Sequence, residues 1–190
     1  MVTNSCQIHS TTFSLLCPSL WHPRSTALTK GFYQVANILD GSRGSFDWLK
    51  AGGTYLGVTG IGHLFWEIAQ LPLYTIWTTE TLQEQAFAII HCTFGDLLIA
   101  LSALIVALII TCGRSWPRDQ YWRVASVAIG LGIIYTAYSE WLNVTVRATW
   151  AYSEWMPIIS LFGLNIGLSP ILQWIIVPGF SFILTKKASV

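Results

Sequence analysis

Charge is what this sequence has least of. Only 10% of its 190 residues are Asp, Glu, Lys or Arg, against roughly 25% in a typical soluble domain. That is too few to cover an ordinary water-soluble globule. Ten Lys and Arg stand against nine Asp and Glu, a net charge of +1, so there is no basic field to hold nucleic acid. The four cysteines are scattered and form no Cys-x-x-Cys pair, which excludes a disulfide scaffold. Two methionines offer little to a soft metal such as copper. No P-loop, dinucleotide fingerprint or Gly-x-Ser-x-Gly elbow occurs, and no residue pattern names a cofactor. What remains is apolar: 53% hydrophobic and 14% aromatic, too greasy for a disordered chain. The composition predicts an integral membrane protein, all-α in fold.

In a bilayer, length is the diagnostic, because about 20 residues span the hydrocarbon core and a helix there is apolar nearly all round. Four spans are predicted: Thr54–Trp77, Ala86–Cys112, Trp122–Asn143 and Ser169–Leu184. The last opens with Pro170, suited to a first helical turn, and contains Pro178, which interrupts its hydrogen bonding. Together they make a four-helix transmembrane domain over 51–185, preceded by a tail over 1–50 that is loose or lies at the interface. Residues 144–168 hold Trp150, Tyr152 and Trp155 but are broken by Pro157, Gly163 and Gly167. They predict an outer lid, interfacial or re-entrant, since irregular backbone at membrane depth must be buried in protein or line a polar cavity.

Nine of the ten basic residues lie before span one, between spans two and three, or after span four; Arg147 is the tenth. Positive residues stay on the cytoplasmic side, so both termini are predicted cytoplasmic.

Ionisable residues inside spans cost about 2.5–3.5 kcal/mol each on insertion scales and call for a reason. His63, Glu67, Gln70 and Tyr74 follow the i, i+4, i+7, i+11 spacing of one helix face. His91 and Asp96 lie in span two, Glu140 and Asn143 in span three, and Gln173 in span four. With the orientation above, Glu67, His91, Asp96 and Glu140 all fall in the extracytoplasmic half, and they predict one outward-facing polar pocket.

Three functions fit such a pocket. The first is a site for a hydrophobic ligand, lipid or isoprenoid, with acid chemistry performed on it. A carboxyl kept from water can hold its proton near neutral pH, and aromatic faces stabilise a cation. In that reading Glu67 is the protonated acid, Asp96 the ionised stabiliser and His91 the proton relay, while His63, Gln70, Tyr74, Glu140, Asn143, Trp150, Tyr152 and Gln173 bind the ligand. The second is a non-catalytic subunit or assembly factor, whose polar residues mate with a partner membrane protein or a second copy of the chain. The third is an intramembrane metal site built from His63, Glu67 and the acids of neighbouring spans, although no His-Glu-x-x-His or paired Glu-x-x-His pattern is present.

Four segments carry a resemblance: Trp66-Glu-Ile-Ala-Gln-Leu-Pro-Leu-Tyr74, His91-Cys-Thr-Phe-Gly-Asp96, Trp150-Ala-Tyr-Ser-Glu-Trp-Met-Pro157 and Gly167-Leu-Ser-Pro-Ile-Leu-Gln173. In these the chain resembles a widespread family of small, uncharacterised prokaryotic integral membrane proteins, over roughly residues 52–184. The resemblance implies a multi-pass membrane fold. A fainter likeness runs to membrane carotenoid cyclases and hydratases, which share an acidic residue near a helix end, a Trp-x-Tyr and a Pro-led helix. The matching positions are Glu140, Trp150 with Tyr152, and Pro170; in place of the cyclases' Pro-Glu-Glu stands Pro170-Ile-Leu-Gln173.

Overall fold

A computed structural model describes residues 27–113, 115–161 and 163–188, with side chains for 47–113, 115–160 and 163–188. The first 26 residues of the predicted tail lie outside the described residues; from Ala27 onward the chain is already helical. The chain divides into two units, Met1–Phe46 and Asp47–Val190, and everything below concerns the second.

The fold is mostly helical. Helix α1 (Ala27–Gln70) enters the unit at Asp47 and is followed by a 3-10 turn, Leu71–Leu73, and the short α2, Ile76–Thr79. Then come α3 (Leu82–Ile110), α4 (Tyr121–Glu140) running on into a π-turn (Trp141–Val146), a hairpin of β1 (Ile158–Leu161) and β2 (Leu164–Gly167), and α5 (Leu168–Ala188). Two of these helices, α3 and α5, are long and apolar enough to cross a membrane, with mean hydropathy of 2.4 and 1.6 over their most apolar windows.

The sequence marks several of the boundaries. Pro72 lacks an N–H and clashes with the preceding turn, so α1 stops at Gln70 and Tyr74 is extended, at φ −116° and ψ 151°. The predicted first span ran to Trp77 and kept Tyr74 on the helical face of His63 and Glu67. The proline break takes it off that face. Helix α3 opens on a capping box: the Thr81 hydroxyl accepts from the Glu84 N–H, and the Glu84 carboxylate accepts from the Thr81 N–H at 2.9 Å. Helix α5 carries Pro170 in its first turn and Pro178 inside, as predicted, and runs four residues past Leu184.

Helix α4 packs against both α3 and α5. The α4–α5 contact turns on Gly132, whose missing Cβ makes room for the Trp174 ring: a Cβ there would lie 2.0 Å from Cε3. Gly62 of α1 does the same for Val177 of α5, at 2.6 Å. Small residues at crossings are what let helices approach closely. Tyr55 of α1 stacks on Phe182 of α5 with ring centroids 4.4 Å apart, and Tyr121 meets the same ring edge-on while its hydroxyl donates to the Phe182 carbonyl. Such ring pairs are worth about 0.5–1.5 kcal/mol each beyond the area they bury.

The predicted lid over 144–168 contains an element the sequence reading lacked. Its second half is an antiparallel hairpin pairing Ile158 with Gly167 and Leu161 with Leu164. Gly163 in its turn has φ +80°, a conformation that favours glycine. The first half is tied to the end of α1 by an isolated bridge between Tyr74 and Tyr152, with Thr75 N–H donating to Ala151 and Ser153 N–H to Leu73.

Candidate functional site

Gln173, on α5 and 2% exposed, is the hub of a buried polar cluster. Its amide nitrogen lies 2.9 Å from Glu67 Oε1, 3.0 Å from Asp96 Oδ2 and 2.8 Å from His63 Nδ1. Three helices therefore meet at one side chain. An amide nitrogen has two hydrogens and serves at most two of these acceptors well. One of the three is therefore a close contact rather than a full hydrogen bond, and His63 Nδ1 also lies 3.1 Å from Asp96 Oδ2.

The orientation of that amide is set from a distance. Trp66 Nε1–H, which can only donate, gives its hydrogen to Ser169 Oγ at 3.2 Å. The Ser169 hydroxyl then donates to Gln70 Oε1 at 2.9 Å. Gln70 must accordingly turn its NH2 the other way, towards Glu67 Oε1 at 2.8 Å and Gln173 Oε1 at 3.3 Å. Gln173, accepting on its oxygen, presents its nitrogen to the acids. Trp66, Ser169, Gln70 and Gln173 thus form a one-way chain of donors ending on two carboxylates. Such fully connected networks specify a unique arrangement.

A second cluster surrounds Glu140, at the C-terminal end of α4 and 6% exposed. The Tyr152 hydroxyl donates to Oε2 and itself accepts from the Gly167 N–H at 2.9 Å. Tyr74 lies 3.4 Å from both carboxylate oxygens. The Tyr152 hydroxyl is held above the ordinary tyrosine range by burial first, then by the hydrogen bond and charge of Glu140. One carboxylate thereby joins α4, the end of α1 and the lid.

Both clusters open onto a cavity of about 1020 Å³, at the top of the usual range of roughly 300–1,000 Å³ for small-molecule pockets. Glu67, Gln70, Asp96, Glu140 and Gln173 form its polar wall, and Asn143, Thr149, Trp150 and Arg147 its lid-side end. Most of the remainder is apolar, from α3 (Ile99, Ala103, Val106) and α4 (Leu131, Ile134).

The predicted site residues distribute as follows. Glu67, Asp96, His63, Gln70 and Gln173 come together in the first cluster, and Tyr74, Glu140 and Tyr152 in the second. Asn143 and Trp150 line the cavity; the Asn143 amide donates to the Ser139 carbonyl at 2.9 Å, and the buried Trp150 indole N–H has no partner among the described residues. His91 lines the cavity too, but stacks on Phe87 with centroids 5.6 Å apart and makes no hydrogen bond among the described residues. The histidine against the acids is His63, completely buried, with no partner for its Nε2 among the described residues and its ring 5.1 Å from that of Trp174.

Ser169 and Trp174 were missed. Ser169 looks like the start of a Pro-led helix, and Trp174 like one more span aromatic; only the fold brings the first to Gln70 and the second to Gly132. Among the described residues, no three His, Cys, Asp or Glu side chains are grouped to hold a metal ion. The point between His63, Glu67 and Asp96 is taken by the Gln173 amide nitrogen. Comparison of the chain with protein-family models, curated proteins and solved structures finds no match.

Proposed function

We propose that this is a four-span membrane protein, with both termini in the cytoplasm, that takes a lipid or isoprenoid molecule into its cavity and acts on it as an acid. Membrane residence is supported by how little of α3 the protein itself covers. Only 22% of its most apolar window is buried, whereas the core helix of a soluble protein would be mostly buried. Phe87, Ile90, Phe94 and Ile109 each expose more than 60% of their surface, an apolar coat that water would disfavour and hydrocarbon accepts.

The observation that carries the function is the cavity: apolar over most of its wall, yet floored by two carboxylates on a directed amide chain. Apolar pockets with a few convergent polar groups are where small molecules bind. His63 lies beside Asp96 and not beside Glu67, so Asp96 is the carboxylate with a ring to share its charge. Glu67 keeps its proton and gives it to a carbon–carbon double bond of the ligand. The π pair forms the new C–H bond, and Asp96 and the cavity aromatics stabilise the carbocation. Loss of a neighbouring proton back to the Glu67 carboxylate closes an isomerisation with no co-reactant. His63, held 3.1 Å from Asp96, replaces His91 as the histidine of the site and steadies that carboxylate rather than relaying a proton to Glu67.

The test is mass spectrometry of organic extracts from the full chain purified in mild detergent. One lipid-soluble species, neutral or amphiphilic, is expected near equimolar amounts, lost on Gly95→Phe, because Gly95 lines the cavity and has open space where a side chain would project. Glu67→Gln is expected to retain the species without converting it. An extract no richer than empty micelles, or a stoichiometric protein partner in its place, refutes the reading.

A further inference from the structure

We infer that the cavity is shaped for an anionic amphiphile, its phosphate or carboxylate headgroup on Arg147 and its hydrocarbon chain lying between α3 and α4 towards Val106. This rests on the cavity being a ligand site, as proposed above, and adds the charge and orientation of the occupant.

Arg147 is the only Lys or Arg among the described residues that line the cavity. Three carboxylates, Glu67, Asp96 and Glu140, line the same space, yet among the described residues none lies within ion-pair distance of Arg147. Its charge is therefore uncommitted. With the orientation proposed above, Arg147 is the one basic residue of ten on the outer side. A cation that lines a cavity and has no ion-pair partner among the described residues is suited to bind an anion.

Its surroundings suit a headgroup. The π-turn fixes the segment, with Arg147 N–H donating to Leu142 at 2.8 Å and Thr149 N–H to Asn143 at 2.8 Å. Thr149, Asn143 and Trp150, with its unpartnered indole N–H, line the same end. Guanidinium and hydroxyl donors carried on one short segment of the cavity lining are the groups that bind a phosphate or carboxylate.

The other end suits a chain. From Asp96 to Val106 is ten residues, about 15 Å of helix. Over that length the wall is Ile99, Ser102, Ala103 and Val106 facing Leu131 and Ile134. On α3 the polar group of this stretch, the Ser102 hydroxyl, is turned back onto the Leu98 carbonyl at 2.6 Å. Ile134 and Val106 are also 68% and 40% exposed, so the slot opens sideways through apolar surface, and a chain already in the bilayer enters without passing water.

The experiment is equilibrium dialysis of radiolabelled dodecyl phosphate, dodecanol and inorganic phosphate against the full-length protein in neutral maltoside micelles, with empty micelles as blank. Saturable binding of dodecyl phosphate is expected, at least tenfold tighter than dodecanol and not displaced by inorganic phosphate at matched concentration. Arg147→Gln weakens dodecyl phosphate at least tenfold, leaves dodecanol unchanged, and is recovered in part by Arg147→Lys. Arg147 is exposed, so unchanged elution and helical circular dichroism are expected for both variants. Ser102→Trp, which fills the slot from an exposed position, weakens both amphiphiles. Equal binding of phosphate and alcohol, with Arg147→Gln silent, overturns the headgroup assignment and leaves the ligand site standing. Displacement by inorganic phosphate overturns the amphiphile in favour of a free-anion site. Failure of both amphiphiles to bind saturably overturns the ligand-site reading itself.

Discussion

Replacing Gln173 by leucine removes the hub while keeping nearly the same volume, so the energetic change is almost all hydrogen bonding. Two donor bonds to carboxylates disappear, at 2.9 and 3.0 Å, with the contact to His63 at 2.8 Å and the bond accepted from Gln70 at 3.3 Å. Bonds to charged groups contribute about 1.5–3 kcal/mol each. Neither acid is left bare: Glu67 Oε1 retains Gln70 at 2.8 Å, and Asp96 Oδ2 retains His63 at 3.1 Å. The lower end of that range applies to ionised Asp96, and the bond to protonated Glu67 adds about 1 kcal/mol, for a total of about 2.5 kcal/mol. At roughly 2–4 °C per kcal/mol for a chain of this size, Tm falls about 5–10 °C. Thermal unfolding in detergent, followed by circular dichroism and tryptophan fluorescence, measures it. Ser169→Ala should cost less, about 1 kcal/mol, because its bonds run to a neutral amide and an indole. Gln173→Glu should cost more than leucine, because it sets a third carboxylate beside two others. A drop under about 2 °C for Gln173→Leu, or Ser169→Ala costing more, would refute the directed-chain argument.

Two further perturbations separate packing from the lid. Gly132→Ala forces a methyl to within 2.3 Å of two Trp174 ring carbons and should cost about 1–3 kcal/mol or abolish folded yield, while Gly130→Ala, with nothing within 4 Å, should be neutral or stabilise α4 by up to about 1 kcal/mol; melting of the two variants side by side checks this. Tyr152→Phe should speed hydrogen exchange across the lid hairpin while leaving α3 unchanged. Because burial holds the Tyr152 hydroxyl above its ordinary range, its contribution is complete below about pH 10 and is lost as pH rises beyond, so the alkaline fall in stability should flatten in the variant.

The site was legible in the sequence to the extent that it follows from spacing along one helix. His63, Glu67 and Gln70 sit three and four residues apart, and α1 does place them together. The same extrapolation failed at Tyr74, because Pro72 ends the helix first; Tyr74 reaches Glu140 instead, across the lid. Depth along the chain served poorly as a stand-in for direction around a helix. His91 and Asp96 are five residues apart, and only Asp96 reaches Gln173, while His91 turns to Phe87. The hairpin was obscured because its strands are four residues each, too short for alternation to stand out beside Pro157 and Gly163.

What the sequence by itself determined is the kind of object this is: long apolar stretches with almost no charge fold as helices, since a backbone away from water must satisfy its own hydrogen bonds. Which polar groups face one another is another matter. That depends on the rotation and approach of each helix, set by local fits such as Gly132 under Trp174 and Gly62 against Val177. A one-residue change in rotation moves a side chain about 100° around the axis, so only the packed structure decided that Gln173, rather than an ion or a water, would stand between His63, Glu67 and Asp96.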